Sequence, residues 1–300
     1  MTEIVNNRQT NDQVRTALLL AAGTGSRLQP LTHDAPKCLT EINGVPILEQ
    51  QVRCLEQWGF ERLVVVLGHQ GDQIREFLGS SVSDLKFSYI HNPQYRTTNN
   101  LYSLWLARKA INRSFLLLEC DLFFEAGLLS EMLQPDRIAL ASPQPWMQGT
   151  TVTLDDSQRV AAFQLGGGTP RNPLAYKTVN IYSLSMSTWH CMRRWLDAYV
   201  SSGRVNDYYE AVFRDMAVDG AFKAVAVSFD HGNWYEIDTL EDLCVAEKLF
   251  PNSGFGETRN TRIAVEALNP TKLGQVEINN VSPVLQLRPS SRSGSEVQYD

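Results

Sequence analysis

The 300-residue sequence has only five cysteines and no long run of apolar residues. No apolar run approaches the ~20 residues that a membrane-spanning helix needs, and the polar N-terminal segment lacks the apolar stretch of a signal peptide. The cysteines are odd in number and include no Cys-x-x-Cys pair, which argues against a disulfide framework or a structural zinc site. We therefore expect reduced thiols in a cytoplasmic protein with no membrane partner.

Basic charge is also scarce, because 27 Lys and Arg residues stand against 33 Asp and Glu residues, for a net charge of −6. Nucleic-acid-binding proteins need a basic surface, so this balance argues against a nucleic-acid partner. A local basic pocket for a small anion stays compatible with it. Apolar residues make up 43% of the chain, enough for a sizeable core. The sequence indicates no particular oligomeric state.

Strand-like apolar runs alternate with helical patterns between residue 16 and about residue 250. The predicted strands are 16–20, 62–68, 87–92, 114–120, 222–228 and 234–237. The predicted helices are 45–58, 71–78, 100–110, 187–201, 207–219 and 239–250. This alternation predicts an α/β fold with a mixed, mainly parallel sheet flanked by helices.

Short β-like pieces between residues 138 and 184 interrupt that pattern and predict a small antiparallel excursion, with a mobile loop at 165–175. The ends of the chain differ in composition from its centre. We expect a polar arm at 1–15, one domain at 16–250, and a flexible extension or linker at 251–300, where Asn, Ser, Pro and Gly are frequent.

The strongest motif is LLLAAGTGSRLQPLT at 18–32, followed by PKCLTEINGVPILE at 36–49. The chain leaves a strand and turns through Gly23 and Gly25, which lets backbone N–H groups approach a phosphate. Arg27 follows the turn, and Lys37 adds a second cation. The spacing matches neither a Walker P-loop nor a dinucleotide fingerprint. Two glycines alone would suit an ordinary turn, whereas the whole string favours anion binding.

These two segments resemble the signature of the sugar-phosphate nucleotidyltransferase superfamily, whose members join a nucleoside triphosphate to a phosphorylated small molecule and release pyrophosphate. The resemblance covers about residues 15–250 and implies a Rossmann-like sheet of the nucleotide-diphospho-sugar transferase type. It also implies that Arg27 contacts the triphosphate and that Lys37 stabilises the α-phosphate. The turn that holds the triphosphate would comprise Leu20, Ala21, Ala22, Gly23, Thr24 and Gly25.

Other segments resemble the cytidylyltransferase branch that acts on phosphocholine or 2-aminoethylphosphonate. They are NPQYRTTNNLYSLWLA (92–107), ECDLFF (119–124), YKTVNIYSLS (176–185), NDYYEAVF (206–213) and NWYEIDTLEDLCVAE (233–247). The resemblance implies CTP and a small phosphorylated or phosphonylated amine as the substrates of an enzyme. Thr97 to Asn100 replace the glutamine and GTA-type stretch of the sugar-specific branch. Two alternatives stay open: a nucleotidyltransferase for a sugar or polyol phosphate, and a catalytically silent nucleotide-binding subunit.

Acidic residues suggest where a metal ion would bind. Asp121 ends an apolar strand, at the sheet edge where open α/β folds bind ligands. Asp238 precedes a helix, and Glu236 lies two residues earlier. Since Mg²⁺ favours a few carboxylates together with phosphate oxygens, we predict Asp121 and Asp238 as its ligands, with Glu236 as a third candidate. Each aspartate alone would also suit a strand end or a helix N-terminus.

Other residues are candidates to bind the base and the acceptor. Asn99, Asn100 and Ser103 are candidates to read a pyrimidine edge, although Asn100 would also suit a helix N-cap. Lys177 is a candidate to hold the phosphate or phosphonate, or else an ordinary strand lysine. The aromatic side chains proposed near the acceptor are Tyr176, Tyr209 and Trp234, together with Trp146, Tyr182, Tyr208 and Tyr235. Aromatic faces favour a quaternary ammonium.

Three carboxylates lie among those aromatic residues, namely Asp207, Glu210 and Asp230. A primary ammonium prefers such hydrogen-bond acceptors. The sequence therefore leaves the choice between the two kinds of amine open.

Overall fold

The computed structural model describes residues 13–145, 147–166 and 175–251. Trp146, residues 167–174 of the loop expected at 165–175, and the extension beyond Pro251 lie outside the described residues, as do residues 1–12 of the polar arm. The mobility expected of the loop and of the extension, and the domain boundaries, stay predictions.

Six α-helices lie within the described ranges. They are α1 (Ile47–Gln57), α2 (Gly71–Ser80), α3 (Asn100–Leu106), α4 (Met186–Ser201), α5 (Glu210–Val218) and α6 (Leu240–Leu249). The longest, α4, has 16 residues, and none of the described helices combines the length and apolarity of a membrane span.

Nine strands of the described chain form the central sheet. They are β1 (Thr16–Ala21), β4 (Arg62–Leu67), β5 (Lys86–His91), β6 (Phe115–Glu119), β8 (Arg137–Ala141), β9 (Thr151–Leu154), β10 (Val160–Gln164), β11 (Tyr176–Leu184) and β12 (Val225–Ser228). The main path runs β10-β9-β11-β6-β1-β4-β5, and β8 joins β11 to β12. Within the described ranges, only β10 and β11 run against the other strands of this sheet.

Alternate residues of the central strands pack against different helices, as the period-two geometry of a strand requires. Leu19 and Val65 lie in a core cluster with α1 and α2. Leu18 and Val64 lie in a second cluster with α3, α4 and α5. Helices therefore cover both faces of the sheet, and the predicted mixed, mainly parallel α/β fold with an antiparallel excursion is confirmed.

Two short ribbons complete the described part of the fold. In the first, β2 (Glu41–Ile42) pairs with β3 (Val45–Pro46) around a turn in which Asn43 and Gly44 both have positive φ, the geometry of a tight hairpin. The helix expected at 45–58 therefore begins only at Ile47. Similarly, the helix expected from 207 begins at Glu210, and the strand expected from 222 begins at Val225.

In the second ribbon, β7 (Leu122–Phe124) pairs antiparallel with β13 (Trp234–Glu236). The pairing continues beyond the strands, because the backbone N–H of Ile237 donates to the carbonyl of Asp121 at 2.9 Å. Helix α6 follows and begins with a capping box, in which Thr239 and Asp242 bond each other's backbone N–H groups. The ribbon thus brings Asp121 and Asp238 together at one edge of the central sheet.

Candidate active site

The glycine turn after β1 has its shape because Gly25 adopts φ +61°, a conformation that side chains disfavour. The Gly25 carbonyl accepts a 2.8 Å hydrogen bond from Oγ1 of Thr32. A Cβ atom on Gly25 would lie 3.1 Å from the Cβ of Lys37. A side chain at residue 25 would therefore crowd Lys37 as well as adopt a disfavoured φ.

Lys37 is the centre of a cluster of four charged residues, which we call the Lys37 cluster. Its Nζ donates to Oδ2 of Asp121 at 2.8 Å and to Oδ1 of Asp238 at 2.7 Å. Nη2 of Arg27 donates to the same Asp238 oxygen at 2.8 Å from a side chain that is 69% exposed. Burial by itself would lower the pKa of Lys37, but the two carboxylates more than offset it and raise the pKa. Lys37 therefore keeps its positive charge.

Helix α1 hydrogen-bonds to the backbone on both sides of Asp121. The buried amide of Gln51 donates to the carbonyl of Glu119 at 2.8 Å and to that of Leu122 at 2.9 Å. Gln50 donates to the carbonyl of Phe124 at 2.9 Å. These uncharged hydrogen bonds fix both sides of the break between β6 and β7, where Asp121 lies.

The carboxylates of the Lys37 cluster fit a divalent cation. Oδ1 of Asp121 is buried and has no hydrogen-bond partner among the described residues, so one oxygen is left for a ligand. Asp238, two residues after β13, faces the same point, since both carboxylates bind the ammonium of Lys37. Glu236 instead lies 3.6 Å from Nζ of Lys177. No three His, Cys, Asp or Glu side chains of the described chain form a metal-binding group.

A small cavity of about 250 Å³ opens above the glycine turn. Its wall includes many of the residues predicted to bind the nucleotide, namely Leu20, Ala22, Gly23, Gly25, Arg27, Lys37, Asn99, Asn100 and Ser103. Ala21 is buried beneath it, and Thr24 is exposed but outside that wall. The structure therefore brings the glycine turn to the start of α3, as the prediction required.

At the start of α3, Asn100 has a different role from the N-cap role considered above. The N-cap is Asn99, whose side chain accepts from the backbone N–H of Asn100 at 2.8 Å. Asn100 is the first helical residue, so its interpretation as the N-cap is wrong. Its side chain donates to Oε1 of Glu119 at 3.1 Å and accepts from the N–H of Tyr209 at 3.0 Å. It thus connects the small cavity to helix α5.

A larger cavity of about 1230 Å³ adjoins the small one. The residues common to both walls are Arg27, Asn100, Glu119, Asp121, Tyr208 and Asp238. The Lys37 cluster therefore lies at the junction of two chambers. Such an arrangement can hold two ligands with their reacting groups against the same cations.

Among the described residues of the larger cavity that the small cavity lacks are two buried charged groups, Lys177 and Glu210, and the partly exposed Glu236. Lys177 is 3% exposed, and its Nζ donates to the carbonyl of Thr178 at 2.6 Å. Glu210, at the start of α5, is 6% exposed, and burial raises its pKa to about 7, against the opposing charge of Lys177. Burial likewise raises the pKa of Glu236 to about 7.

The aromatic residues predicted to bind the acceptor differ in whether they line a cavity. Trp234 lines the larger cavity. Tyr176 is 37% exposed on β11 and lines neither cavity. Tyr209 is completely buried, and its hydroxyl donates to Oε1 of Glu119 at 2.7 Å, so it also lies outside both walls. Its neighbour Tyr208 lines both cavities and is 61% exposed.

Glu119 is a site residue that the sequence reasoning missed. It lies between the two chambers and accepts hydrogen bonds from Asn100 and Tyr209. Burial, then the charges of Asp121 and Glu210, raise its pKa well above the usual range. The available signal was a single acid that ends the apolar run FLLLE, two residues before the predicted metal ligand Asp121.

Known proteins similar to this chain are nucleotidyltransferases. A CMP-5'-(3-aminopropyl)phosphonate synthase of Streptomyces rubellomurinus is 32% identical over 75% of this chain, which spans only 37% of that protein's length. A 2-aminoethylphosphonate cytidylyltransferase of Lancefieldella rimae is 26% identical over 68% of this chain and 80% of that one. The solved CTP:phosphocholine cytidylyltransferase of Streptococcus pneumoniae shares the fold, with a TM-score of 0.67, 21% identity and coverage of 79% and 98%.

The family match includes some of the candidate site residues but not all of them. Residues 17–170 match the MobA-like NTP transferase domain. This range includes the glycine turn, Lys37 and Asp121, whereas Lys177, Glu210 and Asp238 lie beyond it. The resemblance recognised from the motifs is confirmed. Because the match spans half of the chain, this protein belongs to the family of MobA-like NTP transferase domains.

Proposed function

We propose that this chain is a CTP-dependent cytidylyltransferase. It transfers CMP from CTP to a phosphorylated or phosphonylated amino-alcohol, such as phosphocholine or 2-aminoethylphosphonate, and releases pyrophosphate. The observation that carries the proposal is the position of Lys37, which binds Asp121 and Asp238 where the two cavities meet. The activities named for the similar proteins support the choice of CTP and of an amine acceptor.

The reaction needs little proton transfer. The second pKa of a phosphate monoester is ~6, so the acceptor already carries an anionic oxygen at neutral pH. That oxygen forms a bond to the α-phosphorus of CTP, and the bond from the α-phosphorus to the β-phosphate oxygen breaks. Pyrophosphate leaves with the electron pair. The protein therefore has to align two anions that repel each other and to neutralise the developing charge.

The Lys37 cluster supplies that charge. Lys37 is buried and held as a cation, so it is placed to stabilise the α-phosphate in the transition state. Arg27 lies at the exposed side of the cluster, where its fork can bind the outer phosphates of the triphosphate. The N–H groups of the glycine turn complete the phosphate site.

Asp121 and Asp238 would hold Mg²⁺, because Oδ1 of Asp121 is buried without a partner among the described side chains. Members of this family generally use divalent metal ions. When bound, the ion would neutralise phosphate charge and orient the oxygens that it contacts. Lys37 binds both aspartates, so the protein itself already keeps their carboxylates within reach of one site.

The two cavities are assigned to the two substrates. The small cavity takes CTP, and we assign contacts with the cytosine to Asn99, Asn100 and Ser103 of its wall. The larger cavity takes the acceptor, with Lys177 as the cation for the phosphate or phosphonate. The acceptor oxygen then approaches the α-phosphorus at the shared wall.

All five cysteines are free thiols, which agrees with a cytoplasmic location.

The test is a pyrophosphate-release assay with Mg²⁺ and each of the four ribonucleoside triphosphates. The acceptors are phosphocholine, phosphoethanolamine, 2-aminoethylphosphonate and glucose 1-phosphate. The proposal requires turnover with CTP and at least one amine acceptor. Turnover with glucose 1-phosphate alone would instead support a sugar nucleotidyltransferase. CTP binding by calorimetry without any pyrophosphate would identify a silent binding subunit.

A further inference from the structure

The carboxylates that line the larger cavity differ in whether the protein already satisfies them. Both oxygens of Asp230 accept from Ser142, at 2.9 Å from its N–H and 2.7 Å from its Oγ. Asp207 forms an ion pair with Arg204. In contrast, Oε2 of Glu210 is buried and has no hydrogen-bond partner among the described residues.

Within the described ranges no group donates to Oε2 of Glu210, although the residue's own backbone N–H stabilises the carboxylate. Lys177 is the cation whose charge acts on it, but the Lys177 ammonium donates to the carbonyl of Thr178 and lies 3.6 Å from Glu236. A buried carboxylate oxygen without a donor costs free energy in the folded protein. A cationic ligand with N–H groups would supply the donor that Oε2 of Glu210 lacks among the described residues.

Tyr208, Trp234 and Tyr235 line the larger cavity, but within the described ranges these aromatic side chains pack against different parts of the fold. Trp234 and Tyr235 are neighbours on β13, so their side chains leave the strand in opposite directions. Accordingly, Trp234 packs against the cluster with α1 and α2, and Tyr235 packs against a separate cluster around Phe123. Tyr208 is exposed whereas Tyr209 is buried against Glu119.

We infer that the acceptor carries a primary ammonium group and that Glu210 accepts its hydrogen bond. The inference rests on the proposed function and specifies its substrate class. A trimethylammonium has no N–H group, so it would leave Oε2 of Glu210 unsatisfied. The acceptor would then lie between two opposite charges, with its anion near Lys177 and the Lys37 cluster and its ammonium at Glu210. This arrangement complements a zwitterionic aminoalkyl phosphonate or phosphate.

The test compares acceptors that differ only at the amine. They are phosphoethanolamine against phosphocholine, and 2-aminoethylphosphonate against its N-trimethyl analogue and against ethylphosphonate, which has no amine. We expect each trimethyl compound to have a kcat/KM lower by about 10- to 100-fold than its primary counterpart. Equal or better turnover of the trimethyl compounds would overturn the inference and leave the proposed function standing. No turnover with any acceptor would overturn both.

The variant Glu210→Gln keeps the shape and removes the charge. We expect it to lower kcat/KM for the primary amines by about 10- to 100-fold and to leave that for ethylphosphonate unchanged. Asp230→Asn is the matched control, because it removes one charge from the same cavity at a carboxylate that is already satisfied; it should keep the preference for the primary amine. An equal loss with ethylphosphonate in Glu210→Gln, or a preference that survives it, would contradict the role of Glu210.

Discussion

Nζ of Lys37 lies 2.8 Å from Oδ2 of Asp121, although 84 residues separate them in the chain. The lysine follows the glycine turn, whereas the aspartate lies in the break between β6 and β7. Their contact therefore joins the phosphate-binding segment to the sheet edge.

Replacing Lys37 by alanine should lower kcat for pyrophosphate release by about 10²- to 10³-fold, because a preorganised cation is lost at the reacting phosphate. Lys86→Ala, at an exposed lysine on β5, is the control and should retain wild-type kcat. Urea unfolding of both variants would show whether the loss reflects folding. A Lys37→Ala enzyme with normal kcat would refute the assigned role.

Removal of divalent metal by a chelator should abolish pyrophosphate release, and added Mg²⁺ should restore it. Asp121→Asn should weaken the binding of Mn²⁺, which can be followed by its electron paramagnetic resonance signal, since a neutral amide replaces a carboxylate ligand. Asp230→Asn should leave Mn²⁺ binding unchanged, because its carboxylate is bonded to Ser142. Equal Mn²⁺ affinity in Asp121→Asn and wild type would rule out Asp121 as a ligand.

The two glycines of the turn should respond differently to alanine. Gly25→Ala should destabilise the fold by about 1 kcal/mol or more, since φ is +61° and the new methyl group would crowd Lys37 and Thr32. An added Cβ at Gly23 meets no atom within 4 Å, so Gly23→Ala should keep wild-type stability. It should nevertheless weaken CTP binding, because Gly23 lines the small cavity. Thermal unfolding and calorimetry measure the two effects separately.

The protein without substrate should lose stability as pH rises from about 4.5 to 7, because burial raises the pKa of Glu210 from 4.5 to about 7. The folded state binds this proton more tightly than the unfolded state, so the contribution is complete below pH 4.5 and is lost through the folded pKa. At about 1.4 kcal/mol per pH unit, the contribution of Glu210 to the free energy of unfolding is at most about 3 kcal/mol.

Glu210→Gln should therefore be more stable than wild type at pH 8 and similar at pH 4.5, as measured by urea unfolding. Asp207→Asn, at a partly exposed ion pair, is the control and should follow the wild-type pH profile. Identical pH profiles for Glu210→Gln and wild type would show that this carboxylate is ionised without cost.

The fold was predictable because its signals are local. The apolar runs of β1, β4 and β6 are buried on both faces, and such runs are typical of parallel strands covered by helices. The Asn43-Gly44 pair is also a local signal, of a tight turn. The helical pattern that follows it predicted a helix from residue 45, so the short hairpin was not predicted. Boundaries were therefore less accurate than the order of the elements.

The site was predictable where the motif is continuous along the chain. The glycine turn, Arg27 and Lys37 lie within one segment, and their proximity follows from it. The connections of Glu119 and Tyr209 depend on the packing of α5 against the sheet, which no local pattern encodes. Likewise, nothing in the sequence distinguishes Glu210 from Asp207 and Asp230, because the difference is the presence or absence of a partner in the folded chain.

The two buried glutamines of α1 have a consequence for how the site meets its substrates. Gln50 and Gln51 hold the break at Asp121 with neutral amide groups, which do not titrate. The backbone that carries Asp121 is therefore set when the chain folds and is independent of pH and of ligand charge. Binding energy is then available to bring the two anions together, since none of it is needed to build the surface that receives them.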